Sequence, residues 1–181
     1  MTLPRGSIWS SLRAAAEAFC PPFEIAEETP GRLMLELRAL DSGDQLRLRY
    51  RSERGLFLRT YYLVIEADLP GEGPADAGEL VLSRRRLRWK RPRPRGGEPW
   101  SEVFASPDVK AALKRVQVER LGLRWEPRQA SWRLWLESLL GSVTVTFFPP
   151  LETPNPLKPE EAQAVEALVR AVKRAQHRTQ A

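Results

Sequence analysis

Apolar positions recur along the chain in two periods. In residues 7–20, SIWSSLRAAAEAFC, Ile8, Leu12, Ala15, Ala16 and Phe19 follow helical spacing and Pro21-Pro22 ends the run, which predicts a helix. Leu33, Leu35 and Leu37 then alternate with Met34, Glu36 and Arg38, as a half-buried strand would. After the turn residues Asp41 to Asp44, Leu46, Leu48 and Tyr50 alternate with Arg47, Arg49 and Arg51. This is the cleanest period-2 pattern in the chain, and a shift of one residue would exchange its faces. Residues 56–68, LFLRTYYLVIEAD, are apolar on both faces and read as a long central strand. Residues 79–90, ELVLSRRRLRWK, read as a further strand with Leu87 and Trp89 opposite Arg86, Arg88 and Lys90.

Ser106-Pro107-Asp108 is a helix start: a capping hydroxyl, a proline in the first turn and an acid near the positive end of the dipole. Val109, Ala112, Leu113 and Val116 continue it over 106–116. Three short strands follow, with Leu121, Leu123 and Trp125, then Trp132, Leu134 and Leu136, then Val143, Val145 and Phe147 on their apolar faces. PPLETPNPLKP, 149–159, is a proline-rich connection, and Pro159 opens a last helix over 159–176 with Val165, Leu168, Val169 and Val172 inward. Glu166 and Arg170 are spaced for an i,i+4 ion pair. The expected fold is therefore α+β, a two-layer arrangement of mostly antiparallel sheet with helices on one face, in the order α-β4-α-β3-α. With 181 residues it is either one globular unit or two lobes, 1–90 and 106–181, joined by the basic proline-rich segment 91–105.

Charge alters this picture at one place. The net charge is +6, with 24 Arg and 5 Lys, and Arg84, Arg85, Arg86, Arg88, Lys90, Arg91, Arg93 and Arg95 follow one another with no acid between them. The remaining 21 basic and 23 acidic residues nearly cancel. The basic character is local, and a local patch steers an anion. These eight residues are the candidate anion-binding site. Trp89 and Trp100 are the candidate stacking residues, since arginine with aromatic rings is the pairing that holds single-stranded nucleic acid. The row Arg47, Arg49, Arg51 reads instead as a structural face paired across strands with Glu36 and Glu53.

Composition narrows the chemistry. Cys20 is the only cysteine and His177 the only histidine, which excludes a disulfide, a cysteine zinc site and any Cys–His or two-His mechanism within one chain. Cys20, beside Phe19 at a helix end, reads as a small buried hydrophobe. Asp41 and Asp44 lack the further ligands a cation loop needs, so no metal is expected. GEGPADAG, 71–78, leads into strand rather than helix and fails the dinucleotide spacing, so no cofactor is expected. Glu27 and Glu28 are adjacent, so on a strand they face opposite ways, and no catalytic residue is assigned. No apolar run approaches the length of a membrane span, and MTLPRGSIWSS lacks the apolar core of a secretory signal, so a soluble cytoplasmic protein is expected. A single Asn among many charges fits a thermophile, and abundant Arg, Ala and Pro equally fit a GC-rich bacterial genome.

Three functional readings follow. The first is a non-catalytic protein that contacts an anionic partner, nucleic acid, an acidic protein or an anionic membrane surface, through 84–95. The second is a structural or self-assembly protein whose basic patch is an oligomer interface. The third is an enzyme with a scattered carboxylate and arginine site. The sequence sets no oligomeric state.

Overall fold

A computed structural model describes residues 5–71, 79–83, 86–90 and 98–180. In chain order the elements are α1 (Arg5–Glu17), β1 (Phe23–Thr29), β2 (Met34–Ala39), β3 (Gln45–Arg54), β4 (Leu58–Pro70), β5 (Glu79–Ser83), β6 (Arg86–Lys90), α2 (Glu98–Ala105), α3 (Pro107–Leu113), β7 (Arg120–Glu126), β8 (Ser131–Phe147), β9 (Pro150–Pro154) and α4 (Pro159–Gln180). The fold is α+β, with mostly antiparallel strand pairing. The order differs from α-β4-α-β3-α, and each difference has a local cause.

The expected single strand 79–90 is a hairpin: Leu82 pairs with Leu87 and Ser83 with Arg86, with residues 84 and 85 as the link. Parity in the sequence carries this. Leu80 and Leu82 are even, Leu87 and Trp89 odd, and one unbroken strand would have put the two pairs on opposite faces. The reverse occurs in β8, where two expected strands are one 17-residue strand. Trp132, Leu134 and Leu136 are buried at even positions and Val143 and Val145 at odd ones, and Gly141 between them has a φ of +78°. β1 gave no alternation because it is an end strand of the sheet in which only Phe23 is buried. β9 lies within the proline-rich connection, as a short strand paired to β8, where missing N–H groups are tolerated at an edge. The expected helix 106–116 is α3, which ends at Leu113, and α2 precedes it inside the segment expected to be a connection, with Ser106 between them accepting from the Val109 amide at 3.4 Å.

Two compact units divide the chain. One unit takes residues up to Glu66 together with Glu137–Ala162; the other takes Ala67–Leu136 and the chain from Gln163 onward. β4 and β8 each contribute residues to both.

In the first unit the strand order is β1-β2-β3-β4-β8, with β9 on β8. Leu35 pairs with Leu48 and Leu37 with Leu46, and all four are buried on the face that α1 covers with Ile8, Leu12, Ala15 and Ala16. In the second unit the order is β4-β8-β7-β5-β6. Its core includes Leu121, Leu123, Leu134 and Leu136, with Trp132 lying 5.4 Å from both Trp100 and Trp125. Val165, Leu168, Val169 and Val172 form the buried stripe of α4, and Glu166 pairs with Arg170. The expected faces of β3, β7, β8 and α4 are therefore the observed ones. No helix among the described residues is long and apolar enough to cross a membrane.

Candidate functional site

The expected anion-binding residues fall on the β5–β6 hairpin and beyond it. Arg84, Arg85, Arg91, Arg93 and Arg95 lie outside the described residues. Arg86, Arg88 and Lys90 occupy alternate backbone positions of β6, across from Ser83, Val81 and Glu79. β5 in turn pairs with β7: Leu82 with Leu121, Leu80 with Leu123, Val81 with Gly122 and Glu79 with Arg124. Directly opposed residues of antiparallel strands share a face. Positions 80, 82, 87 and 89 thus share the face on which Leu121 and Leu123 are buried, and positions 86, 88 and 90 share the face of Val81, Gly122 and Arg124. On that second face the Arg124 side chain is half exposed and sits 3.5 Å from Glu79. Glu79 is the single acid in the sequence of β5 and β6. β6 is the last strand in the order of described strands.

The two tryptophans separate. The ring of Trp100 is buried in α2 against Trp132, so its faces are spent in the core and it does not offer a stacking surface. Trp89 stands across from Leu80 on β6. Trp135, on the face of β8 opposite Trp132 and Leu134, is half-buried, and its indole N–H has no hydrogen-bond partner among the described residues.

The second concentration of arginines, on β3, is closed by carboxylates. Arg47 donates from Nε to Glu36 at 2.9 Å and lies 3.7 Å from Glu66. Arg49 reaches the same Glu66 through Nε at 2.9 Å and Nη2 at 2.7 Å. Arg51 binds Glu137 through two bonds, Nε at 2.6 Å and Nη2 at 2.7 Å, touches Glu53 at 3.3 Å and stacks 4.9 Å over the Tyr62 ring. Hydrogen bonding to Glu137 holds the Arg51 guanidinium even more firmly protonated than usual. Glu66 and Glu137 are 7% and 4% exposed, so their charges are sequestered with those of the arginines. An anion arriving at this face meets guanidinium groups already neutralised, which makes the row structural. The cross-strand pairing of Arg47 with Glu36 was legible from the sequence, whereas Glu53 lies on β3 itself, two residues from Arg51. Glu66 and Glu137 were missed, although each lies inside a largely apolar strand stretch (LVIEAD, WLESLL), the signature of a carboxylate that needs an arginine nearby.

Cys20 is exposed rather than buried, because the helix ends before it. Partial shielding of its sulfur and the nearby Glu17 push its thiol pKa up, away from thiolate reactivity. Among the described residues no group of three or more His, Cys, Asp or Glu is placed to hold a metal ion.

Residues 18–176 match the model of a family described as protein of unknown function (DUF3156), and the chain belongs to that family. No curated protein and no solved structure matches it.

Proposed function

We propose that this member of the DUF3156 family is a non-catalytic cytoplasmic binding protein that contacts an anionic partner, with nucleic acid as the first to test, through the basic segment 84–95. A two-layer arrangement, with the helices on the other face of the sheet, belongs to the same reading. The observation that carries it is the strand register. It gathers Arg86, Arg88 and Lys90 at alternate positions of an end strand, on the face where Arg124 reaches solvent, with Glu79 as the one acid across the hairpin. The arginine row of β3 is the contrast, since its charges are matched by four glutamates. This reading rests on charge rather than stacking, since position 89 lies on the face of Leu121 and Leu123, opposite the basic positions, and Trp100 is withdrawn into the core.

Binding to single- and double-stranded oligonucleotides at ~50 mM salt tests it, where electrostatic association is strongest. With four to six phosphate contacts, the log–log salt slope on duplex DNA should be about −4 to −5. Replacing Arg84, Arg85, Arg86 and Arg88 by Ser should abolish binding with the thermal midpoint unchanged. No binding at micromolar protein would overturn the nucleic-acid reading.

The place of β6 at the end of the strand order favours a second reading, in which the hairpin pairs edge to edge with a copy of itself. Sedimentation velocity separates the two. A dimer that the same four substitutions dissociate would assign the patch to self-assembly.

A further inference from the structure

The first unit carries exposed apolar side chains at two adjacent turns. One turn joins β3 to β4, where Leu56 and Phe57 are 85% and 68% exposed. The other joins β8 to β9, where Phe148 is 90% exposed and Leu151, the second residue of β9, is 58% exposed. A hydrogen bond from the Phe147 amide to the Phe57 carbonyl at 2.9 Å ties the two turns together. Four large apolar groups therefore project from one preformed tip.

The backbone of this tip suits a medium without water. The Gly55 amide donates to the Leu58 carbonyl at 2.8 Å, and the Thr146 hydroxyl donates to the Pro149 carbonyl at 2.7 Å. Pro149 and Pro150 have no N–H to leave unsatisfied. Transfer of unpaired backbone groups is what ordinarily bars a loop from the apolar layer, and here much of that cost is absent.

The charge flanking the tip is net positive, with Arg54 and Arg59 against Glu152, whose carboxylate accepts from the Ser7 hydroxyl. Arg54 is exposed, makes no ion pair among the described residues and lies with its guanidinium 6.0 Å over the Phe147 ring. Arg59, at the start of β4, also makes no ion pair among the described residues, and its Nη1 reaches only the Tyr61 hydroxyl, at 3.5 Å. Glu53, the nearest acid in sequence, is engaged by Arg51. Apolar side chains in front of unneutralised arginines match a surface that is apolar below and anionic above, as a bilayer with anionic headgroups is.

We propose that the paired turns Gly55–Leu58 and Phe147–Leu151 form a membrane-surface docking site, with Leu56, Phe57, Phe148 and Leu151 entering the interfacial layer of an anionic bilayer and Arg54 contacting lipid phosphate. The site is separate from the segment 84–95 and does not depend on what that segment binds.

Co-sedimentation of the full chain with vesicles tests it, using phosphatidylcholine alone and phosphatidylcholine mixed equally with phosphatidylglycerol. The wild type should pellet with the mixed vesicles. F57S/F148S should lower its partition by about tenfold or more, since insertion scales with buried apolar area. L56Q/L151Q, which alters both turns by other side chains, should do the same, and both variants should keep the wild-type melting midpoint. R54E should lose the preference for the anionic vesicles. Serine at Arg84, Arg85, Arg86 and Arg88 should leave partition within about twofold, which separates this site from the basic segment. Partition unchanged in both tip variants, or lost only in the 84–88 variant, would overturn the proposal. So would a wild-type dimer in sedimentation velocity that F57S/F148S dissociates, which would assign the tip to a second copy of the chain.

Discussion

The Tyr50 hydroxyl donates to the Gly141 carbonyl at 2.7 Å, joining positions 91 residues apart. Gly141 is the point where the alternation of β8 changes parity, and it has a φ of +78°. A Cβ there would lie 2.6 Å from Leu63 Cδ2, so alanine meets both an unfavourable backbone region and a clash in a filled core. Gly141→Ala should cost about 2–4 kcal/mol. Tyr50→Phe removes the donor and leaves a buried carbonyl short of a partner, at about 1–2 kcal/mol. Urea midpoints should rank wild type, Tyr50→Phe, Gly141→Ala in falling order. A Gly141→Ala protein as stable as wild type would show that the glycine does not set the strand geometry.

Burial also pushes the ionisation of Tyr50 well above that of an exposed phenol. The sign follows from proton linkage. The unfolded chain releases this proton near pH 10 while the folded chain keeps it, so the contribution is complete below that pH and is lost as pH rises towards the folded value. Stability should therefore fall with increasing alkalinity above about pH 10. In Tyr50→Phe that slope should be shallower, by close to one proton in the pH dependence of the unfolding free energy. Equal slopes in the two proteins would show that the phenol is not protected.

The Arg51–Glu137 pair is the test of the β3 row. Glu137 is buried, the contact is bidentate and Tyr62 covers the guanidinium. Removing either partner leaves a sequestered charge unmatched, so a double-mutant cycle with Arg51→Ala and Glu137→Ala should give a coupling of about 1–3 kcal/mol. The exposed pair Arg13–Glu17, at 3.8 Å, should give no more than about 0.5 kcal/mol in the same cycle. Raising salt should erase the second coupling and leave most of the first. Equal couplings for the two pairs would count against a sequestered row.

Alternation made the centre of each unit legible. Leu46, Leu48, Tyr50, Leu121, Leu123, Leu134, Leu136, Val143, Val145, Leu168 and Val172 are all buried as their spacing requires. What alternation does not contain is where a strand turns or where two strands are one. A hairpin and a left-handed glycine both change parity, and only the first reverses the chain, as between the paired Ser83 and Arg86 and at Gly141. Edge strands escape for another reason: β1 and β9 bury little on either face, so neither has a period to read. Of the candidate site, the register of Arg86, Arg88 and Lys90 followed from the alternation once the hairpin is recognised. Trp100 could not be placed from local pattern, because its burial depends on Trp132, distant in sequence. The exposed Phe57 and Phe148 both read as strand residues, since exposure of an apolar residue leaves no mark in a sequence.

Ser106 was expected to cap the middle helix, and it does so at the start of α3, with α2 immediately before it. Its acceptor distance of 3.4 Å is long, so Ser106→Ala should cost about 0.5 kcal/mol, the lower end of the range for caps. Asp108 in the same turn donates nothing to the cap; it accepts from Arg178 at 2.8 Å, and this contact, with Arg174 nearby, holds its carboxyl below the usual range. Ser106→Asp should therefore restore the midpoint lost in Ser106→Ala, since a carboxylate caps as well as a hydroxyl. Failure of aspartate to restore it would show that the loss came from packing at Ser106 rather than from the cap.

Cys20 gives a measurement free of competing thiols, because the chain has no other. The residue is exposed, and its thiol lies 3.7 Å from the Ala16 carbonyl as a weak donor. Shielding of the sulfur and the charge of Glu17 both disfavour the thiolate. Alkylation by iodoacetamide should go to completion in the native protein, since nothing encloses the residue. It should be slow at neutral pH, with a pH–rate inflection above that of a free thiol, about 8.5. Glu17→Gln removes the nearby negative charge and should move the inflection downward, with no change in the alkylation rate at the alkaline plateau. An inflection at or below that of free cysteine would reverse the assignment and make Cys20 an activated thiol. Modification only after unfolding would instead show that the helix end encloses it.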